Sequence, residues 1–297
     1  MTYKEIIGRL SSLDLSQYPA DEVKELLKQL GSIGVIITDL HPGKTILRGR
    51  INDKPHQYDK ISKVSFKPSE YNKTYMRAST PNRTMFYGSI VPEILGEKEP
   101  ATARITIIYE LSEFARDNET VGQQLVTFSV WEVEEDISLL SLVHYKNFDR
   151  PTELSKKLQS QFDIFMKDHP DKEESTRLIT EYLGEQFAKV VSPDKDFDYL
   201  ISSCYSEIVT DFGFDGVLYP SVKLAGEGIN VAIKPESVSK LKLVHVGECT
   251  LYKNKDQIFL GSDTVGRIEE NGSIIYEKAT GQSYVSREVG LKRVGLL

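Results

Sequence analysis

The chain has 297 residues, of which 39% are hydrophobic and 27% are charged, a composition that supports a buried core and excludes general disorder. Its net charge of -7 argues against a surface that binds nucleic acid by general electrostatics, because phosphate neutralisation needs clustered lysine and arginine. Two lone cysteines indicate neither a disulfide scaffold nor a zinc site, and the lack of a run of about 20 apolar residues predicts a cytosolic protein without a membrane span.

The N-terminal part of the chain is predicted to be a helical flank that leads into strands. Apolar residues recur at helical spacing from Asp21 to Leu30, and Gly31 follows as a stop signal. The segment Thr45 to Ile51 alternates β-branched and polar residues, which predicts a strand that carries two arginines. From Asn52 to Pro81 the chain is polar and irregular, so we expect a long loop that carries functional side chains.

The middle of the chain contains both strand and helix patterns. Thr84 to Ile90 and Leu125 to Val133 are predicted to be strands, whereas Thr102 to Leu111 is apolar enough for either a strand or a buried helix. The apolar residues that follow Thr152 trace two successive helical faces. This pattern predicts two helices, with Thr152 and Ser175 as their N-terminal caps.

The C-terminal third adds one helix and several short strands. A helix is predicted around Phe197 to Thr210, followed by strands at Gly216 to Tyr219 and at Ile229 to Ile233. After about Leu251 short strands and turns dominate, and the turn residues Glu270 to Ser273 predict a hairpin. The whole pattern predicts a mixed α and β fold without the regular βαβ repeat of a doubly wound sheet.

The familiar nucleotide-binding and hydrolase motifs do not fit this sequence. The segment HPGKT at 41–45 lacks the first glycine of a P-loop, and residues 226–231 lack the third glycine of a dinucleotide fingerprint. There is no GxSxG elbow, and the five histidines show no triad or metal spacing, so each is interpreted as an ordinary surface or core residue. The acidic stretch Glu132, Glu134 and Glu135 is interpreted as a solvated strand end and is kept as an alternative for a catalytic acid.

Three segments combine in an order that no single motif explains. They are Ile46 to Ile51 (ILRGRI), Tyr75 to Ser89 (with RASTP and FYGS) and Gly213 to Ser221 (GFDGVLYPS), and Glu227 to Ile233 (EGINVAI) follows them. In order and spacing they resemble the RES domain, a family named for an arginine, a glutamate and a serine. The resemblance covers roughly Thr45 to Val246.

The resemblance implies an α+β fold similar to that of ADP-ribosyltransferases. A mixed β-sheet core with flanking helices is expected over residues 45–250, with a helical insertion at about 151–191. A helical flank over residues 1–44 and a β-rich extension over residues 251–297 lie outside the expected domain. These two parts are candidates to gate a cleft, bind a partner or assemble copies of the chain into a homo-oligomer.

The resemblance also implies an activity. Proteins of this family bind NAD and cleave the bond between nicotinamide and ribose by hydrolysis or phosphorolysis, and several act as toxins of toxin-antitoxin pairs. The expected partner is a DNA-binding helix-turn-helix antitoxin of the Xre type. One alternative is a protein ADP-ribosyltransferase, although Ile108 stands where such arginine-directed enzymes often carry Glu or Gln. An alternative of another class is a non-catalytic binding module.

The resemblance carries site residues onto this sequence. Arg48, Glu110 and Ser221 are the predicted catalytic residues, and Glu93 and Glu113 compete with Glu110 for the role of the carboxylate. NAD is expected as a substrate, and no metal is expected. The predicted NAD-binding residues are Arg48, Tyr58, Arg77, Tyr87, Ser221 and Asn230.

Each of these residue types suits the chemistry of NAD cleavage. The two guanidinium groups offer planar forks of donors to pyrophosphate oxygens, and the two tyrosine rings can pack on the cationic nicotinamide. Departure of neutral nicotinamide leaves positive charge on the ribose, which the carboxylate of Glu110 would stabilise. The serine and the asparagine would hold the ribose, the amide or a phosphate by hydrogen bonds.

Overall fold

Helices and strands alternate irregularly along the chain in a computed structural model, which describes residues 1–31, 33–94, 97–142, 148–281 and 284–297. The helices are α1 (Tyr3–Ser12), α2 (Ala20–Gln29), α3 (Ile61–Val64), α4 (Pro100–Leu111), α5 (Glu113–Arg116), α6 (Glu153–Asp168), α7 (Glu173–Ala188), α8 (Leu200–Asp211) and α9 (Arg287–Arg293). The strands are β1 (Ile36–Leu40), β2 (Thr45–Asn52), β3 (Phe86–Ile90), β4 (Glu93–Ile94), β5 (Glu97–Lys98), β6 (Val121–Val133), β7 (Ile137–Ser141), β8 (Gly216–Pro220), β9 (Ile229–Ile233), β10 (Leu241–Asn254), β11 (Gln257–Ile268) and β12 (Ile274–Lys278).

The first of two compact units contains residues 1–41, 67–87 and 136–239. Its strands follow the order β1-β7-β8-β9, in which β7 and β8 run parallel and the other neighbours run antiparallel. Helices α1, α2, α7 and α8 contribute apolar side chains to its core, including the buried Leu26 and Leu183. Burial of these apolar faces stabilises the unit, at about 25 cal/mol for each Å² removed from water.

The second unit contains residues 42–66, 88–135 and 240–297. From the end of β3 onward, its strands follow the order β3-β2-β6-β10-β11-β12, and every neighbouring pair runs antiparallel. Helix α4 packs on one face of this sheet, where Gly49 leaves room for it: a Cβ at Gly49 would lie 2.4 Å from Cγ2 of Ile107. Residues 53–66, which we call the strap, contact side chains of the opposite face.

Most of the predicted elements are confirmed. Helix α2, strands β2 and β6 and the paired helices α6 and α7 lie where the sequence patterns place them. Gly272, with a φ of +78°, forms the turn of the β11-β12 hairpin, in which the backbone N–H of Glu269 donates to the carbonyl of Ser273 at 2.9 Å. The segment Thr102 to Leu111, for which the sequence allowed a strand or a helix, is helical. Pro100 occupies the first turn of this helix, and the carboxylate of Glu99 caps its N-terminus.

The two predicted helix caps have different outcomes. Thr152 caps α6, since its hydroxyl accepts a hydrogen bond from the backbone N–H of Ser155 at 3.1 Å. The prediction for Ser175 is wrong, because α7 already begins at Glu173. The hydroxyl of Ser175 instead donates back to the carbonyl of Lys172 at 3.1 Å. Serine in the first turn of a helix forms such local bonds as readily as it forms a cap.

The fold class is confirmed as α+β, since long helices accompany a sheet with both parallel and antiparallel neighbours. Strands β11 and β12 lie in the expected β-rich extension, which also contains the short helix α9. No helix within the described ranges is both long and apolar enough to cross a bilayer. The RES fold stays a prediction, and so do the domain boundaries at residues 44 and 250. The two compact units are defined by contacts within the chain, which do not mark the boundaries of a family's domain.

Candidate functional site

Arg77, in the first unit, lies buried against backbone carbonyls. Its guanidinium donates from Nη1 to the carbonyl of Phe187 and from Nη2 to that of Lys189, the latter at 3.1 Å. The ring centroids of Tyr199 and Tyr219 lie 5.1 and 6.0 Å from its Cζ, within the range of cation–π attraction. Two of the five N–H donors of the guanidinium are therefore bound to backbone carbonyls, and Arg77 ties the end of α7 to the aromatic rings.

Tyr87 lies beside Arg77 in a small hydroxyl network. Its hydroxyl accepts from the backbone N–H of Ala78 at 3.0 Å and lies 2.8 Å from Oγ of Ser79, which in turn accepts from the N–H of Met85 at 2.9 Å. Loss of hydration on burial raises the pKa of Tyr87 to about 12, against the opposing effect of the hydrogen bonds and of the nearby Arg77 charge. The phenol therefore stays protonated and available as a donor at neutral pH.

We expect Tyr87 to limit the stability of the protein in alkali. Because its folded pKa of about 12 exceeds the unfolded value of 10.0, its contribution is complete below pH 10 and is lost as pH rises toward 12. When the pH is raised from 10 to 12, the free energy of unfolding of Tyr87→Phe should therefore decrease less than that of the parent, as measured by urea unfolding. When phenolate formation is followed by ultraviolet absorbance, Tyr87→Phe should lack one of the tyrosines that ionise above pH 10. The control Tyr71→Phe removes an exposed ring and should retain that tyrosine.

Ser221 and Asn230 lie at one end of the β8-β9 pair. Asn230 is the register partner of Tyr219, and Ser221 follows two residues later, directly after β8. The backbone of Ser221 closes the connecting loop, since its N–H donates to Gly228 at 2.9 Å and its carbonyl accepts from Gly226 at 2.8 Å. Both side chains are buried, Ser221 completely and Asn230 to 6% exposure. The first unit thus contains four of the predicted residues, of which Arg77 and Asn230 contact or pair with Tyr219, whereas Tyr87 and Ser221 lie near them in the same unit.

Arg48 and Arg50, in the second unit, leave β2 on the same face and share one anchor. Nε of Arg48 and Nη2 of Arg50 donate to the carbonyl of Ser65 in the strap, at 3.1 and 2.7 Å. The ring of Tyr58 lies 5.4 Å from Cζ of Arg50, and its hydroxyl donates to the carbonyl of Ile51 at 2.9 Å. Two of the predicted residues, Arg48 and Tyr58, are therefore joined through Arg50, which the sequence analysis did not assign to the site.

The guanidinium of Arg50 is partly desolvated, and one of its N–H donors has no acceptor within the described ranges. Desolvation lowers the pKa of Arg50, against the raising effect of Tyr58. Among the described residues, no acceptor lies within hydrogen-bonding distance of its buried Nε. A buried donor without an acceptor costs about 1–3 kcal/mol, and an anionic ligand would remove that cost.

Glu110 lies on the other side of β2 from Arg48. Side chains alternate along a strand, and the position of Gly49 faces Ile107 and Leu111 of α4, the helix that carries Glu110. The adjacent Arg48 must therefore point away from α4. The structure joins Arg48 to Tyr58 on one side of the strand and sets the helix of Glu110 on the other.

The alternative carboxylates lie in ordinary surface ion pairs or on the exposed surface. Glu93 lies 2.9 Å from Lys44, Glu132 lies 3.7 Å from Lys98 and Glu134 lies 3.4 Å from Lys242, all at half-exposed positions. Glu113 and Glu135 are exposed. Exposed pairs of this kind contribute about 0–1 kcal/mol each and hold no defined geometry for catalysis.

One buried carboxylate, Glu248, was not predicted from the sequence, and it is 1% exposed on β10. It lies on the same sheet face as Arg50, because Arg50 is the register partner of Thr127 and Thr127 is the partner of Glu248. The only signal in the sequence was a single glutamate between apolar residues, the same signal that selected Glu110. Its histidine partner, His56, is 192 residues away in the chain.

Neither a metal centre nor a known relative helps to assign the site. Within the part of the chain that the structure describes, no three His, Cys, Asp or Glu side chains converge to hold a metal ion. Comparison with known proteins found no matching family model, no matching curated protein and no matching solved structure. The functional assignment therefore depends on the motifs and on the geometry described above.

Proposed function

We propose that this protein is a RES-type enzyme that cleaves NAD between nicotinamide and ribose, by hydrolysis or phosphorolysis. The observation that carries the proposal is the arginine pair of β2, in which Arg48 and Arg50 are fixed on the single carbonyl of Ser65. Arg48 is also the arginine that the family resemblance selects from sequence. The geometry and the motif thus favour the same residue on independent grounds.

The electrostatics of the pair favour a ligand with two adjacent negative charges. Both guanidinium groups bind one carbonyl oxygen, so their donor nitrogens lie within about 6 Å of each other. Two cations at that separation repel by an energy on the order of 2 kcal/mol in a partly solvated site. A pyrophosphate spans such a pair, removes the repulsion and supplies an acceptor for the buried Nε of Arg50.

The other chemical roles follow from residue type and stay proposals. Tyr58, held by its hydroxyl and by Arg50, presents an aromatic ring next to the pair that suits a base or the nicotinamide ring. The family resemblance still assigns the stabilisation of positive charge on the ribose to Glu110, which would have to act from the α4 side of β2, opposite to the arginine pair. Ser221 and Asn230, both buried hydrogen-bonding groups, remain candidates for holding the substrate.

The toxin role and the antitoxin partner are part of the same proposal. Depletion of NAD would arrest growth, so such an enzyme needs an inhibitor in the cell that makes it. Growth arrest on induction, accompanied by a fall in cellular NAD and relieved by a co-expressed helix-turn-helix protein, would support this part. Growth without a change in NAD would contradict it.

The decisive experiment follows the products of NAD with the purified full chain. We expect free nicotinamide in the absence of any added protein, together with ADP-ribose or, with phosphate present, its phosphorylated form. Nicotinamide release that requires a protein acceptor would identify a transferase instead. Binding of NAD without turnover would identify a binding module. If the protein neither bound NAD nor cleaved it, NAD would be excluded as its ligand.

A further inference from the structure

Glu248 forms a buried carboxylate centre beneath the strap. Its Oε1 accepts from the backbone N–H of His56 at 2.5 Å and from Nδ2 of Asn52 at 3.3 Å. Its Oε2 accepts from Oγ1 of Thr264 at 3.0 Å and lies 3.0 Å from Nδ1 of His56. The carboxylate therefore holds His56 twice, through its backbone and through its ring.

This double attachment fixes the orientation of the His56 ring. The ring stacks on Tyr276, with centroids 5.1 Å apart and planes 29° apart, and its side chain is 51% exposed. With Nδ1 committed to the carboxylate as a donor, the neutral imidazole has its lone pair on Nε2, the nitrogen away from Glu248. His56 also has a φ of +54°, a conformation that non-glycine residues adopt at a cost. Such strain concentrates at functional positions.

The His56 ring is part of the same neighbourhood as the arginine pair. The strap leaves β2 immediately after Arg50 and Asn52 and carries both His56 and Tyr58. The hydroxyl of Tyr276, on whose ring His56 stacks, donates to the carbonyl of Tyr58 at 2.8 Å, and Tyr58 lies on Arg50. A ligand held by the arginines would therefore lie beside a histidine whose ring is oriented and accessible.

We propose, resting on the proposed NAD cleavage, that His56 is the general base that activates the attacking water and that Glu248 is its positioning residue. A carboxylate that holds Nδ1–H of a histidine and leaves Nε2 to take a proton is the arrangement that enzymes use for this task. In the step, the bond between C1′ and the nicotinamide nitrogen breaks, and its electron pair leaves with neutral nicotinamide. The water oxygen bonds to C1′, and its proton passes to Nε2 of His56.

A general base at His56 favours water over phosphate as the acceptor. Water is a weak nucleophile that benefits from a base, whereas a phosphate dianion already carries the charge that attacks. The product is then ADP-ribose, with one proton released for each NAD. A base must be neutral to act, so the rate should decline toward acid pH.

The other ionisable groups near this pair do not compete for the role. Tyr276, on β12, has a pKa raised by burial and by the charges of Glu248 and Asp59, so it remains a neutral phenol. Asp263, on β11, is half-buried, and desolvation raises its pKa while the hydroxyl of Thr250 holds it at 2.7 Å. The other charged groups of the strap nearest His56 in sequence are Asp53, Lys54 and Asp59, all of them exposed.

The test compares His56→Asn with the parent in a nicotinamide-release assay across pH. Asparagine tolerates the left-handed backbone better than most residues, so the strap should keep its path and its N–H bond to Glu248. We expect about a 100-fold loss of hydrolysis, together with loss of the decline toward acid pH. Added azide, an anionic nucleophile that needs no base, should restore nicotinamide release by forming the ADP-ribosyl azide. Glu248→Gln should give a smaller loss of rate.

His41→Gln is the matched control, because His41 also pairs with a carboxylate, Asp136 at 2.9 Å, but both side chains are about two-thirds exposed. It should keep the parent rate and pH profile. A parent-like rate and pH profile in His56→Asn, or a loss that azide does not restore, would overturn the role of His56 while the function stands. A parent protein that releases no nicotinamide would instead overturn the proposed function, and with it this inference.

Discussion

Arg48→Lys is expected to lower kcat/KM for NAD cleavage by about 100-fold, equivalent to about 2.7 kcal/mol of lost transition-state stabilisation. Lysine keeps the positive charge but not the planar fork, so it cannot bind the Ser65 carbonyl through Nε and a phosphate through the other nitrogens. Hydrogen bonds to charged groups contribute about 1.5–3 kcal/mol each, which sets the size of the effect. The measurement is nicotinamide release, with NAD affinity determined by calorimetry.

Arg267→Lys is the control for this prediction. Arg267 lies on β11 in an exposed ion pair with Glu277 at 3.4 Å, where lysine can replace it at little cost. We expect this variant to match the parent in rate and in affinity. Full activity of Arg48→Lys would show that charge alone suffices at this position and that Arg48 does not bind a pyrophosphate through a planar fork of donors.

Local periodicity predicted the elements of this fold well where a residue's neighbours in sequence are also its neighbours in space. Helix α2 follows from its apolar spacing and from Gly31, whose φ is +75°, and strand β2 follows from alternation. The segment that became α4 could not be decided by period, since it is apolar on several sides. The contact that favours a helix there, packing of Ile107 over Gly49, connects two distant segments.

The candidate site was predicted only in part, because its contacts also join segments that are distant in sequence. Sequence motifs marked Arg48, but nothing local shows that Arg50 shares its anchor, because that anchor is a backbone carbonyl of Ser65 in the strap. The contacts of Arg77 were not predicted either. Its motif suggested a ligand, whereas its donors bind the backbone carbonyls of α7 and the residue after it. A motif identifies an arginine, but it does not identify what its guanidinium binds.

The pair of Glu248 and His56 shows most clearly which contacts cannot be predicted from local sequence. The two residues are 192 positions apart, and they meet only because β10 pairs with β6, β6 pairs with β2 and the strap returns over that face. A shift of one residue in any of these registers would turn Glu248 to the opposite side of the sheet. Histidine spacing along the chain therefore gave no indication of the pair.

Gly216→Ala is expected to destabilise the protein by about 3 kcal/mol, one of the larger effects of any single methyl group. A Cβ at this position would lie 2.0 Å from the carbonyl oxygen of Ala232 and 3.0 Å from Cα of Ile233, both backbone atoms of β9. A side chain could rotate away, but a paired strand cannot, so the β8-β9 ladder must separate. The same ladder sets Asn230 opposite Tyr219, so the mutation should disturb the predicted site as well as the fold.

Gly8→Ala provides the matched control, because it adds the same methyl group where nothing lies within 4 Å. Gly8 is an exposed residue inside α1, where alanine has the higher helix propensity, so this variant should gain about 0.5–1 kcal/mol. Urea unfolding of both variants gives the comparison directly. The opposite signs expected of the two substitutions isolate strand contact as the cause. A Gly216→Ala protein as stable as the parent would show that the added methyl group does not clash with the backbone of β9.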